Sequence, residues 1–79
     1  MSNTIGFKEY IIATWANGIL PPEVIKQIVP SANELNPHRF RKLIYAVAEQ
    51  DYQLARHMWQ SAYGHAADKL DGKLAGHQG

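Results

Sequence analysis

The chain's four prolines, Pro21, Pro22, Pro30 and Pro37, all fall within one short stretch. Proline inside a helix removes a backbone hydrogen bond and clashes with the preceding turn, and it pushes the residue before it out of the helical region. The first half of the molecule must therefore be built from short segments that stop and restart. Apolar residues recur in these segments at helical spacing, and no alternating strand pattern is present. The sequence thus predicts an all-α fold, a small bundle of three to four helices with a flexible C-terminal tail.

The first helix is expected from about Thr4 to Asn17, on the stripe Phe7, Ile11 and Trp15 with Tyr10 and Ile12 beside it. Thr4 offers a capping hydroxyl, and Asn17-Gly18 offers a stop because glycine reaches the left-handed conformation. Leu20 and Pro21 should be extended. Pro22 suits the first position of a second helix and Glu23 the positive end of its dipole. Val24, Ile25, Ile28 and Val29 give that helix an apolar face, and Pro30 ends it. Ser31-Ala32-Asn33-Glu34 has the spacing of a capping box, which predicts a single turn.

Asn36-Pro37 pairs an N-cap with a proline at the first helical position, starting a third helix over 37–49 that carries Phe40, Leu43, Ile44 and Val47. Continuing that seam lands on Asp51, and a carboxylate there would need a buried partner. A break at Glu49-Gln50-Asp51 avoids the cost, with Asp51 capping a fourth helix that runs to about Leu70. Residues 1–70 then form one helical domain. Residues 71–79, with Gly72, Gly76 and Gly79, read as a flexible tail. Tyr52, Ala55, Trp59 and Ala62, preceded by Asp51, resemble the second half of a tetratricopeptide unit over about a dozen residues in one copy. Gln50 stands where that unit usually has glycine, and the preceding helix lacks its aromatic positions, so no family is assigned from it.

Composition limits the function classes. The 79 residues include no cysteine, which excludes disulfides and thiolate metal sites. Chains below about 80 residues build marginal cores, so tight helix packing or association must supply the rest. A net charge of +1 argues neither for strong DNA binding nor for an acidic target. No apolar run approaches the roughly 20 residues of a membrane span. Met1 to Thr4 carry no basic segment, so no secretory signal is expected. The expected location is the cytoplasm, that of the host if the gene is viral. Small regulators of bacteria and their phages are often chains of this size.

Three groups of residues invite chemistry. His38-Arg39-Phe40-Arg41-Lys42 places cations at a helix start, where the dipole disfavours them. That patch reads as a site for phosphate or acidic side chains, or as a solvated face with Glu34, Glu49 or Asp51 as partners. His57, Ser61 and His65 line one face of the fourth helix, with Asp68 three residues on. A serine nucleophile there would lack an oxyanion hole, and His57 and His65 stand about 12 Å apart along the axis. The aromatic residues carry more information. Tyr52, Arg56, Trp59, Tyr63, Ala66 and Leu70 form one stripe on the fourth helix, beside a second made of Ala55, Met58, Ala62 and Ala66. Tyrosine, tryptophan and arginine are the residues enriched at interface hot spots. Ile19-Leu20-Pro21-Pro22 is a further apolar stretch, exposed or stapled onto the second helix through Leu20.

The expectation is a non-enzymatic interaction module, a regulator, adaptor or inhibitor that covers a surface of another protein, with a homodimer as one form. Arg39, Phe40, Arg41, Lys42, Tyr52, Arg56, Trp59 and Tyr63 are the expected contact residues. The cations would steer toward an acidic surface, and the aromatics would supply affinity. No cofactor or metal is called for. The alternatives are a nucleic-acid-binding regulator using the start of the helix at 37–49 and, more remotely, a small hydrolase or metal protein on His57, Ser61, His65 and Asp68.

Overall fold

The computed structural model describes residues 5–64. Four α-helices occupy them: α1 Phe7–Ala13, α2 Pro22–Ile28, α3 Pro37–Gln50 and α4 Tyr52–Tyr63. A 3₁₀ segment, Thr14–Gly18, continues α1, and a single 3₁₀ turn, Ala32–Glu34, links α2 to α3. No strand occurs among the described residues. The all-α bundle expected from the sequence is what forms.

The longest helices are held at their starts by the expected caps. Asn36 accepts a 2.8 Å hydrogen bond from the Arg39 amide, with Pro37 at the first helical position. Asp51 accepts a 3.1 Å bond from the Leu54 amide. Its backbone is extended (φ −150°, ψ 90°), so the chain turns there and α3 and α4 are separate helices. Because Asp51 is exposed, its carboxylate stays solvated while it caps, which removes the burial cost of a continuous seam. Around Ser31 the turn also forms, with the hydroxyl donating to the Glu34 carboxylate at 3.3 Å.

α3 and α4 form an antiparallel pair, and α1 packs across both. The core lies between them. Phe40, Leu43, Ile44 and Val47 from α3 meet Ala55, Met58 and Trp59 from α4, closed by Ile12, Ala13, Ala16, Leu20 and Leu35. Phe40, Ile44, Val47 and Met58 are the largest fully buried side chains. α2 buries no residue completely and lays Val24, Ile25, Ile28 and Val29 against the core edge. Leu20 is buried and Ile19 partly so, whereas Pro21 and Pro22 are exposed, so the Ile19–Pro22 stretch packs through its first two residues.

The first segment departs from its expected form. α1 begins at Phe7 with Gly6 as cap position, and Thr4 lies outside the described residues. Of the stripe Phe7, Ile11 and Trp15, the first two face water, with Phe7 79% and Ile11 42% exposed, and Trp15 packs against the core edge, while Ile12, Ala13 and Ala16 face inward. Both sides of this helix are apolar, so periodicity alone could not choose between them. The inward side carries small residues, which let the helix axis approach α3 and α4 closely. The segment stops at Gly18 as expected, but not through a left-handed glycine. Gly64 is the only residue with positive φ among those described. It ends α4 at Tyr63 rather than near Leu70, with φ 73°. The flexible-tail expectation for 71–79 lies outside the described residues.

The two side-chain caps account for a measurable part of the stability. Asp51→Ala and Asn36→Ala are each expected to cost about 1 kcal/mol, or roughly 4–8 °C in Tm, in thermal unfolding followed by circular dichroism. Asp51→Asn retains the acceptor and should stay within a few tenths of a kcal/mol of the parent.

Candidate partner-binding site

The antiparallel register of α3 and α4 sets Arg41 beside Tyr63 and Tyr45 beside Trp59. Arg41 stands close enough to the Tyr63 hydroxyl for its charge to act on the phenol. The Tyr45 and Trp59 rings stack with centroids 6.5 Å apart and planes 21° apart. Trp59 and Tyr63 meet at 4.7 Å, and Tyr63 presents its edge to Phe40 at 6.1 Å. Tyr52 and Arg56 continue the same stripe toward the start of α4. The result is a seam of tyrosines and arginines, with Trp59, 4% exposed, packed beneath it. The Trp59 indole N–H is buried and meets no acceptor among the described residues.

The eight residues expected to contact a partner are therefore divided by the fold. Arg41, Tyr52, Arg56 and Tyr63 share the seam, and Tyr52 and Tyr63 remain 39% and 36% exposed. Trp59 supports the seam from below. Phe40 is a correction: it is completely buried in the core and cannot reach a partner. Its place on the seam of α3 with Ile44 and Val47 is the reason, since the cations around it in sequence project to other sides of the helix. Arg39 is also bound within the chain. Its guanidinium donates to the Ile28 carbonyl at 2.8 Å and lies 3.9 Å from the Glu34 carboxylate, tying α3 to α2. Lys42 is exposed on another side of α3, where it lines a cleft of about 510 Å³ with Gln27, Ile28, Asn36, His38 and Arg39. The basic run is thus two separate surfaces rather than one patch.

Tyr45 belongs to the seam and was not among the expected contacts. The signal was present: it follows Arg41 by four residues, so the two share a face of α3. A second feature lies on α1, where Phe7, Tyr10 and Ile11 are exposed. Tyr10 also borders an apolar groove of about 240 Å³, walled by Thr14, Asn17, Ile25 and Val29 and floored by Leu35 and Leu43. No periodicity in the sequence marks a groove shared by three segments.

His57 does not stand on an unengaged polar face. Its ring stacks on Trp15 at 5.2 Å with planes 11° apart, joining α4 to the first segment. Ser61 is partly buried, and His65 and Asp68 lie outside the described residues. Among the described residues, no three histidine, aspartate or glutamate side chains gather to hold a metal ion. No helix there is long and apolar enough to cross a membrane. Comparison with protein-family models, curated proteins and solved structures finds no match.

Burial pushes the Tyr63 phenol above its ordinary pKa of 10.0, while the nearby Arg41 guanidinium pulls it back. A raised value means that the folded state holds this proton more tightly than the unfolded chain does. The resulting stability is complete below pH 10 and is lost as pH rises through the folded value. Denaturation at alkaline pH should therefore show stability falling above pH 10, with a smaller fall in Tyr63→Phe. Arg41→Ala removes a stabiliser of the phenolate, so the ultraviolet titration assigned to Tyr63 by difference should move further up; an unmoved midpoint would count against the pair.

Proposed function

We propose that this chain is a non-enzymatic protein–protein interaction module that covers a surface of a partner through the α3–α4 seam. The observation that carries the reading is the aromatic cluster of Tyr45 stacked on Trp59 and Tyr63 packed against Trp59 at 4.7 Å, with Arg41 near the Tyr63 hydroxyl. Interface hot spots are rigid aromatic and arginine side chains grouped around a packed centre. Side chains already held in place lose little conformational entropy on binding, so more of their contact energy appears as affinity. Arg41 brings a cation to the Tyr63 end of the seam, beside Glu9, which suits a mixed polar and charged patch on the partner. The cell compartment proposed for this partnership is the cytoplasm.

Capture of partners from a native extract by the purified chain, with and without nuclease, tests the reading. A discrete protein retained after nuclease treatment is expected. Tyr63→Ala and Arg41→Glu should each weaken that complex by about 30-fold, the size of a typical hot-spot loss, without lowering helicity. Capture that vanishes with nuclease would replace the reading with nucleic-acid binding, and the cleft at His38 and Lys42 would become the surface to test.

A further inference from the structure

We infer that the cleft between the end of α2 and the start of α3 is a phosphate-binding site, with a small phosphomonoester as its ligand. Its walls are Gln27, Ile28, Asn36, His38, Arg39 and Lys42, around about 510 Å³. Small-molecule sites run from about 300 to about 1,000 Å³, so the cleft has room for a phosphate group and an organic body beside it. None of these residues belongs to the α3–α4 seam, so this proposal and the partner reading can fail independently.

The walls keep donors to spare. Two acceptors in them, Asn36 Oδ1 and the Ile28 carbonyl, are taken by the amide and the guanidinium of Arg39, each at 2.8 Å. With its oxygen fixed on that amide, Asn36 has its NH₂ group left to offer. His38 and Lys42 lie one turn apart and share a side of α3. Both side chains are exposed, and neither pairs with another described residue. Lys42 carries three N–H donors, and the His38 ring carries at least one in either protonation state. No carboxylate lines the cleft. Glu34 stands 3.9 Å from Arg39 and already accepts the Ser31 hydroxyl.

This pattern selects the anion. A carboxylate is matched by the flat fork of a guanidinium, but the Arg39 fork is engaged by Ile28 and Glu34. What remains is a set of separate point donors, which suit the several oxygens of a tetrahedral phosphate. A phosphomonoester carries about −1.5 to −2 charge at pH 7, and Lys42 and Arg39 set two cations beside it. The amides of the helix start add little, since Pro37 has none and those of Arg39 and Phe40 are bonded to Asn36. The site therefore rests on side chains from two elements. Arg39 ties α3 to Ile28 and so holds the two walls in place before a ligand arrives. A net charge of +1 over the chain gives a long polyanion little else to hold, which favours a single phosphate group.

Titration of the full, nitrogen-labelled chain with glycerol phosphate, at an ionic strength held constant with chloride, tests this through its amide and imidazole resonances. Saturable shifts at His38 and Lys42 are expected, with a Kd on the order of 1 mM. Lys42→Gln and His38→Gln, both at exposed positions, should each raise that Kd about fivefold, the size of one exposed charge contact. Lys8→Gln removes another exposed cation, on α1, and should leave the Kd unchanged. Shifts that fail to saturate by about 20 mM, or that chloride alone reproduces, overturn the proposal. So does a Lys8→Gln variant that loses as much affinity as Lys42→Gln. A single-stranded oligonucleotide of about 12 nucleotides, without a terminal phosphate, that binds the same residues about 100-fold more tightly overturns the choice of a small ligand in favour of nucleic-acid backbone.

Discussion

The turn at Asp51 is the constraint on which the rest of this structure depends. Its carboxylate accepts the Leu54 amide at the start of α4, and its extended backbone folds α4 back along α3. Only in that arrangement do Phe40, Ile44 and Val47 find Ala55, Met58 and Trp59 opposite them. A continuous helix would carry the same apolar seam along a single rod, with no second surface on which to bury it. In a chain this short the interior is nearly all one cluster, and losing any large member costs several kcal/mol. The first segment and α2 are laid over this pair and add the remaining walls.

The α3–α4 pair also makes the proposed partner seam. Arg41 and Tyr45 lie one turn apart on α3, and Trp59 and Tyr63 lie one turn apart on α4. Their meeting requires the antiparallel register rather than any local motif. Once met, they restrain one another: the Tyr63 ring packs against Trp59 and Phe40, and the Arg41 charge acts on its hydroxyl. The burial that raises the Tyr63 pKa is a consequence of this packing. Core and seam are then two sides of the same helix pair, and Trp59 touches both.

Arg39 and Phe40 show why a run of adjacent residues is a poor guide to a surface. Neighbours on a helix are about 100° apart, so a five-residue run points nearly all round the axis. His38 and Lys42 fall on one side, Arg41 on another, Phe40 inside, and Arg39 against α2. Residues spaced by three and four stay together, which is why Tyr52, Arg56, Trp59 and Tyr63 share one side of α4, with Trp59 turned under.

The sequence by itself determined what is local. Prolines and their preceding residues set the helix boundaries between 21 and 37, because ring geometry forbids the alternative. Asn36 and Asp51 announced the starts of α3 and α4, because a short side-chain acceptor can reach an unpaired amide of the first turn. Phe40, Leu43, Ile44 and Val47 declared the buried side of α3, since the other side of that helix is polar. Tertiary structure alone decided which apolar side of α1 turns inward, since both were eligible and only Ala13 and Ala16 allow close approach. It also decided that Arg39 is a strut and that His57 stacks on Trp15. The groove beside Tyr10 exists only because three segments enclose it. These outcomes depend on groups far apart in the chain competing for the same space, and no spacing within one segment records that competition.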